Sequence, residues 1–469
     1  MIPENLGDDI AAISTAPGTG AIAIVRISGP NAWAIVQSIF RAQSNIQSVN
    51  FEPRQASHGY IIDQNDNIVD EVVVITYKSP NSYTGLDLVE INCHGSIVIS
   101  NNILQLLLDN GARLAQKGEF TKQAFLNGKL DLIQAEAVLD LIQAKTVKSG
   151  IASLSILKGH LGNKIKKLRQ ALINHLTNIV ARIDFPDEVE ELDTSNLGND
   201  LTKLKIELTK LAKTATTGIF LRQGVKIAIV GNPNVGKSSL LNQLLNFERA
   251  IVTPQAGTTR DFIEEPLDLK GIPVILIDTA GIRNTSDEVE KIGINRSIEA
   301  VNQADLILLM QDITVNSSIE PSLTEKLSQK PYFILNNKTD LIDFNATILL
   351  DRPLLNAEII NNHLCQGQIN ISAKTGQGID NLINSLETWI NHFSDLEECG
   401  GSLNQRQASL CRNASDSILN AIDAIANDLP LDCISTDLKE AINSLSQVCG
   451  IEVSQEIINN VFANFCVGK

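Results

Sequence analysis

The segment GNPNVGKS, Gly231 to Ser238, follows the apolar run VKIAIV and carries the spacing G-x-x-x-x-G-K-S. Its glycines let the backbone wrap an anion, and amides at the start of a following helix would point at it. Lys237 is placed to reach the β- and γ-phosphates of a nucleoside triphosphate, and the Ser238 hydroxyl to ligate Mg²⁺. The run PVILI leads into Asp278-Thr279-Ala280-Gly281, where the carboxylate can hold Mg²⁺ through water and the glycine amide can meet the γ-phosphate. The run YFIL leads into Asn337-Lys338-Thr339-Asp340. A carboxylate there accepts from both N1–H and the 2-amino group of guanine, a donor pair that adenine lacks, so the site rejects adenine strongly. INI then leads into Ser372-Ala373-Lys374, a backbone support for the guanine oxygen. The expected nucleotide contacts are Asn234, Val235, Gly236, Lys237, Ser238 and Ser239, then Thr253, Pro254, Gln255, Ala256, Gly257, Thr258 and Thr259. Asp278, Thr279, Ala280, Gly281, Asn337, Lys338, Asp340, Ser372 and Ala373 complete the set.

Hydrolysis needs more than binding. Ile282 follows Gly281, and an apolar side chain cannot orient water, so another group must do so. The segment DEVEKIG offers Asp287, Glu288 and Glu290. A transition-state charge has two candidate sources. One is a monovalent cation held by Asn234 and oxygens of TPQAGTTR (Thr253 to Arg260); the other is Arg260 itself, whose plainer role is a surface ion pair.

These segments require strands to carry them. Val225 to Val230, Pro273 to Ile277, Leu306 to Met310, Tyr332 to Leu335 and Ile369 to Ile371 are short apolar runs between helical stretches. That alternation predicts a mostly parallel sheet covered on both faces. Before it, residues 1–120 mix β-like runs such as Ile22 to Ile27 and Val72 to Ile75 with Gly/Pro punctuation. Residues 121–216 turn helical: Leu132, Ala135, Leu139 and Ile142 share one face, as do Leu172, Leu176, Ile179 and Ile183. Helical texture returns over 383–469, with Leu438, Ile442, Leu445 and Cys449 on one face and Gly450 as the C-cap. Two helical segments flanking an α/β segment imply one helical domain, split in sequence by the insertion of residues 217–382.

Composition narrows the class. With 43% apolar and 20% charged residues in 469, the chain reads as folded, and at roughly 150 residues per domain as about three domains. No apolar run approaches the roughly 18 residues of a membrane span, and the acidic start MIPENLGDDI argues against export. Seven scattered cysteines, never spaced CxxC, point to a reducing cytosol rather than a disulfide framework or zinc site. A net charge of −16 excludes a broadly basic nucleic-acid surface. A local basic track is still possible along Lys158, Lys164, Lys166, Lys167 and Arg169, although a solvated helix face is the plainer reading, as it is for the acidic patch Asp184 to Asp193. Cys93-His94 does not form a nucleophile–base pair, because neighbours on a strand point to opposite faces. Cys466 reads as core rather than a reactive thiol.

The order of Lys237, Asp278, Asn337 and Ser372 resembles translation-factor-like GTPases. Three flanking blocks are more specific: APGTGAIAIVRISGP (Ala16 to Pro30), NSYTGLDLVEINCHG (Asn81 to Gly95) and GEFTKQAFLNGKLDLIQAEAV (Gly118 to Val138). With the terminal FCVGK, they resemble the TrmE (MnmE) family of tRNA-modifying GTPases over nearly the whole length. The resemblance implies a multidomain α/β and all-α protein. Residues 1–120 would form a tetrahydrofolate-binding-like, dimerising domain, 121–216 and 383–469 a helical domain, and 217–382 an inserted P-loop G domain. It further implies GTP, Mg²⁺, K⁺ and 5-formyl- or methylene-tetrahydrofolate as cofactors, a cytoplasmic homodimer, and a heterotetramer with the FAD-containing protein MnmG. Together these would add an aminomethyl or carboxymethylaminomethyl group to carbon 5 of the wobble uridine of certain tRNAs. Carried over residue by residue, folate contacts fall on Arg26, Glu90, Lys129 and Lys469. K⁺ ligands fall on Asn234, Thr253, Gln255 and Thr258, Mg²⁺ ligands on Ser238 and Thr259, and the catalytic carboxylate on Glu290. The chain departs from the family pattern at Leu86, usually Glu, and Gln123, usually Arg; neither is an assigned ligand. A ribosome-assembly GTPase is the alternative for this G-domain type, but it lacks the folate-like blocks. A nucleotide-gated scaffold without intrinsic turnover is a third reading.

Overall fold

Alternation builds the first sheet. In the segment Ile22–Ser28, Ala23, Val25 and Ile27 are buried, and Arg26 between them points to the opposite face. A computed structural model describes residues 7–43, 51–188, 194–247, 264–269, 271–278, 298–315, 327, 329–342, 363–391 and 401–469. Two compact units divide the chain: Met1–Leu139, Leu157–Leu201 and Asp416–Lys469 form one, Asp140–Ile156 and Thr202–Ser415 the other.

The first unit holds strands β1 (Ile10–Ile13), β2 (Ile22–Ser28), β3 (Phe40–Ala42), β4 (Ala56–Ile62), β5 (Ile68–Tyr77), β6 (Leu88–His94) and β7 (Arg113–Leu114). They form one sheet in the order β3-β4-β5-β6-β2-β1-β7, antiparallel except for the β1–β7 pair. Helices α1 (Ala32–Ile39) and α2 (Ile97–Asp109) supply Val36, Ile103 and Leu107 to a core shared with Val25, Ile27, Val74 and Ile91. Each such fully buried side chain contributes on the order of 1.5–3 kcal/mol. The β2–β6 register sets Arg26 directly opposite Glu90 on the other face.

Helices follow in the order α3 (Glu119–Leu126), α4 (Leu132–Ile142), α5 (Val147–Leu157), α6 (His160–Asp184) and α7 (Thr194–Gln223). The second unit's sheet comprises β8 (Val225–Gly231), β9 (Glu264–Leu269), β10 (Ile272–Asp278), β11 (Leu306–Asp312), β12 (Tyr332–Asn337) and β13 (Cys365–Asn370), in the order β13-β12-β11-β8-β10-β9. All pairs are parallel except the β9–β10 edge hairpin. Cores on both faces explain the continuous apolar runs; α8 (Lys237–Phe247) and α9 (Ile379–Asn391) supply Leu240, Leu244, Leu382 and Leu386 to one of them. Within this unit the Thr146 hydroxyl, which caps Ser149 N–H at the start of α5, also donates to the carbonyl of Gly271 at 2.6 Å. Gly271 is the tip of the β9–β10 hairpin, with φ +88°, and a Cβ there would lie 2.7 Å from Lys148 Cβ.

Three helices close the chain: α10 (Gln405–Ala426), α11 (Leu431–Cys449) and α12 (Gln455–Phe462). In the first unit α11 packs on α6; Leu438, Ala441 and Leu445 of α11 and Leu168 and Leu172 of α6 are buried, and α11 ends at Gly450 with φ +79°. Arg169 Nε donates to Ser446 Oγ at 2.7 Å, and Lys166 pairs with Asp131 at 2.8 Å. Two of the five cations in the candidate basic track are therefore engaged internally. After α12 the tail returns to the sheet. Val467 bridges Lys117, Gly118 N–H donates to Cys466 O at 3.2 Å, and Ser14 Oγ donates to Gly468 O at 3.0 Å.

Candidate functional site

Parallel strands place their carboxyl ends on one edge of the second sheet, and every described nucleotide motif falls there: Gly231 closing β8, Asp278 closing β10, Asn337 closing β12 and Ser372 after β13. The P-loop takes its shape from backbone that side chains resist. Asn234 has φ +59° and Gly236 φ +105°; a Cβ on Gly236 would lie 2.4 Å from Asn337 Nδ2. Lys237 Nζ donates to the carbonyls of Gly231 and Asn232 at 2.8 and 2.9 Å, so the ammonium is folded over the loop where phosphates would sit. Ser238 and Ser239 follow in the first turn of α8.

Asn337 ties the P-loop to the segment after β13. Its Nδ2 donates to Val235 O at 2.7 Å, and its Oδ1 accepts from Ala373 N–H at 2.8 Å, both in buried surroundings. Lys338, at φ +69°, is held by Asp312 at the end of β11, 2.5 Å away. Burial raises the Asp312 carboxyl, but bonds from Lys338 and Thr314 outweigh it and leave the group below the usual carboxylate range. Ser372 Oγ donates to Asp340 Oδ1 at 2.6 Å and orients an exposed carboxylate at the position expected to read the base. Sequence reasoning missed Asp312; the acidic residue ending the run LILLMQD was its only signal. Thr253, Pro254, Gln255, Ala256, Gly257, Thr258, Thr259, Arg260, Thr279, Ala280, Gly281, Ile282, Asp287, Glu288 and Glu290 lie outside the described residues.

A second polar cluster occupies the first unit. Arg26 Nη2 and Nε donate to Glu90 Oε1 at 2.6 and 3.1 Å, and Tyr77 Oη donates to Glu90 Oε2 at 3.3 Å. The Arg26 guanidinium carbon lies 5.9 Å from the Tyr83 ring centre and 5.6 Å from that of Phe120, within cation–π range of both. Its Nη1 reaches Gly468 O at 3.4 Å. The adjacent Lys469 is half-buried. Burial, and secondarily the Arg26 charge, lowers its ammonium pKa, with Glu90 opposing. Burial first, then the Glu90 charge, raises the Tyr77 phenol. Arg26, Glu90 and Lys469 are thus brought together although they are widely separated in sequence. Lys129 bonds Pro80 O at 2.9 Å and lies against Gly85, on the loop that carries Tyr83. The cluster presents a carboxylate, two cations and aromatic faces, a set suited to a flat heterocycle bearing an anionic tail.

Elsewhere, Cys93 is buried and its thiol is pushed up to about 11, by burial and secondarily the Asp70 charge, while His94 is exposed and bonds Asp70 at 2.7 Å. The two side chains diverge, as strand geometry requires. Cys466 is exposed rather than core. No group of three or more His, Cys, Asp or Glu suited to a metal occurs among the described residues.

Residues 9–129 match the family described as the GTP-binding protein TrmE N-terminus, and residues 132–466 match the MnmE helical domain. The chain belongs to the TrmE/MnmE family. The "tRNA modification GTPase MnmE" of Thermotoga maritima is 42% identical over 466 residues, covering 98% of this chain and all of that one. The MnmE proteins of Clostridioides difficile, at 42%, and Bacillus licheniformis, at 41%, match 99% and 98% of this chain and all of theirs. Among solved structures, Era in complex with MgGDPNP and 16S ribosomal RNA nucleotides is 28% identical over 41% of this chain and 66% of that one, with a TM-score of 0.27.

Proposed function

We propose that this chain hydrolyses GTP to drive modification of the wobble uridine of certain tRNAs. In this reading it acts with the FAD-containing protein MnmG and draws a one-carbon unit from a folate. One observation carries the reading: relatives named tRNA modification GTPase match 98–99% of the chain, including both segments that flank the nucleotide site. A ribosome-assembly role would leave those flanks without a purpose. The division into residues 1–120, 121–216, 217–382 and 383–469 belongs to the same proposal.

The base site supports GTP, with Asp340 oriented by Ser372 to accept from guanine and Lys338 restrained by Asp312. Ser238 and Thr259 would ligate Mg²⁺, which supplies charge neutralisation at the phosphates. K⁺ would be held by Asn234, Thr253, Gln255 and Thr258, and Glu290 would position the attacking water. Asn234 holds a left-handed backbone, which asparagine tolerates better than most side chains. The folate would lie against Arg26, Glu90 and Lys469, with Lys129 toward its glutamyl tail.

Homodimerisation through the first sheet has support in two exposed apolar side chains, Ile22 and Val73, on the side opposite α1 and α2. No helix among the described residues is long and apolar enough to cross a membrane; a cytoplasmic location belongs to the same proposal. The deciding experiment is mass spectrometry of wobble uridines in tRNA from a strain lacking this protein. Loss of the 5-aminomethyl-type modification, restored by the wild-type gene and not by the Asp340→Asn variant, is expected. An unchanged uridine profile would overturn the proposal.

A further inference from the structure

Among the described residues, the only buried side-chain polar atoms without a hydrogen-bond partner are Oε1 and Nε2 of Gln123. The residue is 4% exposed. An orphaned buried amide is costly, and two unpaired atoms on one side chain require an explanation.

Its position supplies one. Helix α3 lies against the 83–85 loop at both of its ends. Thr121 Oγ1 and Tyr83 Oη share a 2.9 Å bond near the start, and Asn127, just past the end, donates from Nδ2 to Thr84 O at 2.7 Å. Phe120, on the same helix, is the ring that stands 5.6 Å from the Arg26 guanidinium. Gln123 follows Phe120 by three residues and precedes Asn127 by four, so all three share one side of α3. On that side Phe120 meets the Arg26 guanidinium and Asn127 the covering loop.

We infer that Gln123 is a further binding contact of the Arg26–Glu90 pocket, pairing with the heterocyclic ring of the ligand rather than its charged tail. A primary amide presents one donor and one acceptor side by side in a plane. A reduced pterin offers the complement, with N8–H beside N1 and N3–H beside the 4-oxo group. A carboxylate-bearing tail belongs elsewhere, because an anion desolvated against a neutral amide gains too little. Half-buried Lys469 and exposed Lys129 suit the tail. The inference rests on the folate reading above and adds to it the residue that selects the ring.

Titration calorimetry of the full chain tests it with 5-formyltetrahydrofolate and with a tetrahydropterin lacking the glutamyl tail. Gln123→Met keeps length and removes both polar atoms. Its affinity for both probes is expected to fall about tenfold or more, with GTP affinity unchanged and the thermal midpoint of the ligand-free protein equal or higher. Should the Met variant lose GTP binding, Gln123→Leu, which likewise removes both polar atoms, takes its place under the same expectations. Wild-type affinity in the variant, with a raised midpoint, would show a merely hydrated amide and overturn the inference. A loss confined to the tailed folate would overturn the ring assignment. If the wild-type chain binds neither probe, the folate reading fails first, and this inference with it.

Discussion

Asn337→Ala tests whether the phosphate and base sites are one mechanical piece. The substitution removes the acceptor of Ala373 N–H and the donor to Val235 O, and both bonds are buried. Each buried backbone group left unpaired costs about 1–3 kcal/mol, so the second unit should lose ~2–6 kcal/mol, toward the lower figure if water enters. Unfolding of that unit can be followed by the fluorescence of Trp389, which is buried in its core, in a Trp33→Phe background that silences the first unit. GTP affinity should fall at least tenfold, because the freed Val235 carbonyl belongs to the P-loop. Asn370→Ala is the control. Its exposed side chain gives up one bond, from Asn336 at 2.8 Å, and should cost under about 1 kcal/mol. An Asn337→Ala protein as stable as the control, with native GTP affinity, would refute the coupling.

Asp340→Asn exchanges an acceptor for a donor at the base and should shift preference from GTP toward XTP, measured by competition binding; undiminished GTP selectivity would mean another residue reads the base. If a cation held near Asn234 supplies transition-state charge, replacing K⁺ by Na⁺ at matched ionic strength should slow turnover on the order of 10³-fold, while Glu290→Ala should abolish turnover and keep GTP binding. Equal rates in the two salts would return Arg260 as the charge donor. A thiol pushed up to about 11 stays protonated at pH 8, so Cys93 should resist iodoacetamide in the native protein. Exposed Cys433 and Cys466 should be alkylated under the same conditions, as read by peptide mass spectrometry.

Legibility in the sequence followed burial. Val225 to Val230 and Leu306 to Met310 were plain because strands covered on both faces need unbroken apolar runs, and β8 and β11 lie there. The first sheet was harder to read. ASHGYII of β4 carries a histidine and a glycine, and the two-residue β7 is too short for any periodicity to register. Resemblance, not spacing, singled out Arg26 and Glu90; their pairing depends on a cross-strand register over 64 residues of sequence. A glutamine reads as solvent-facing, so nothing in KQAFLNGK announced that Gln123 is buried. Lys166 and Arg169 read as a solvated helix face or a basic track because their partners, Asp131 just before α4 and Ser446 on α11, are remote in sequence.

The Thr146–Gly271 bond bears on how the hydrolytic segment can be studied by itself. Residues 217–382 look like a self-contained module in the sequence, yet α5 belongs to the same compact unit, and Ala152 packs on its core. Excising that module would strip the cap from the hairpin tip and bare the apolar surface beneath Ala152. The hairpin lies between the two sequence segments expected to sense the γ-phosphate, TPQAGTTR before β9 and DTAG at the end of β10. A fragment cut at 217 would therefore report turnover from a lever with its far end untethered, whereas one that retains residues 140–156 would keep the lever anchored.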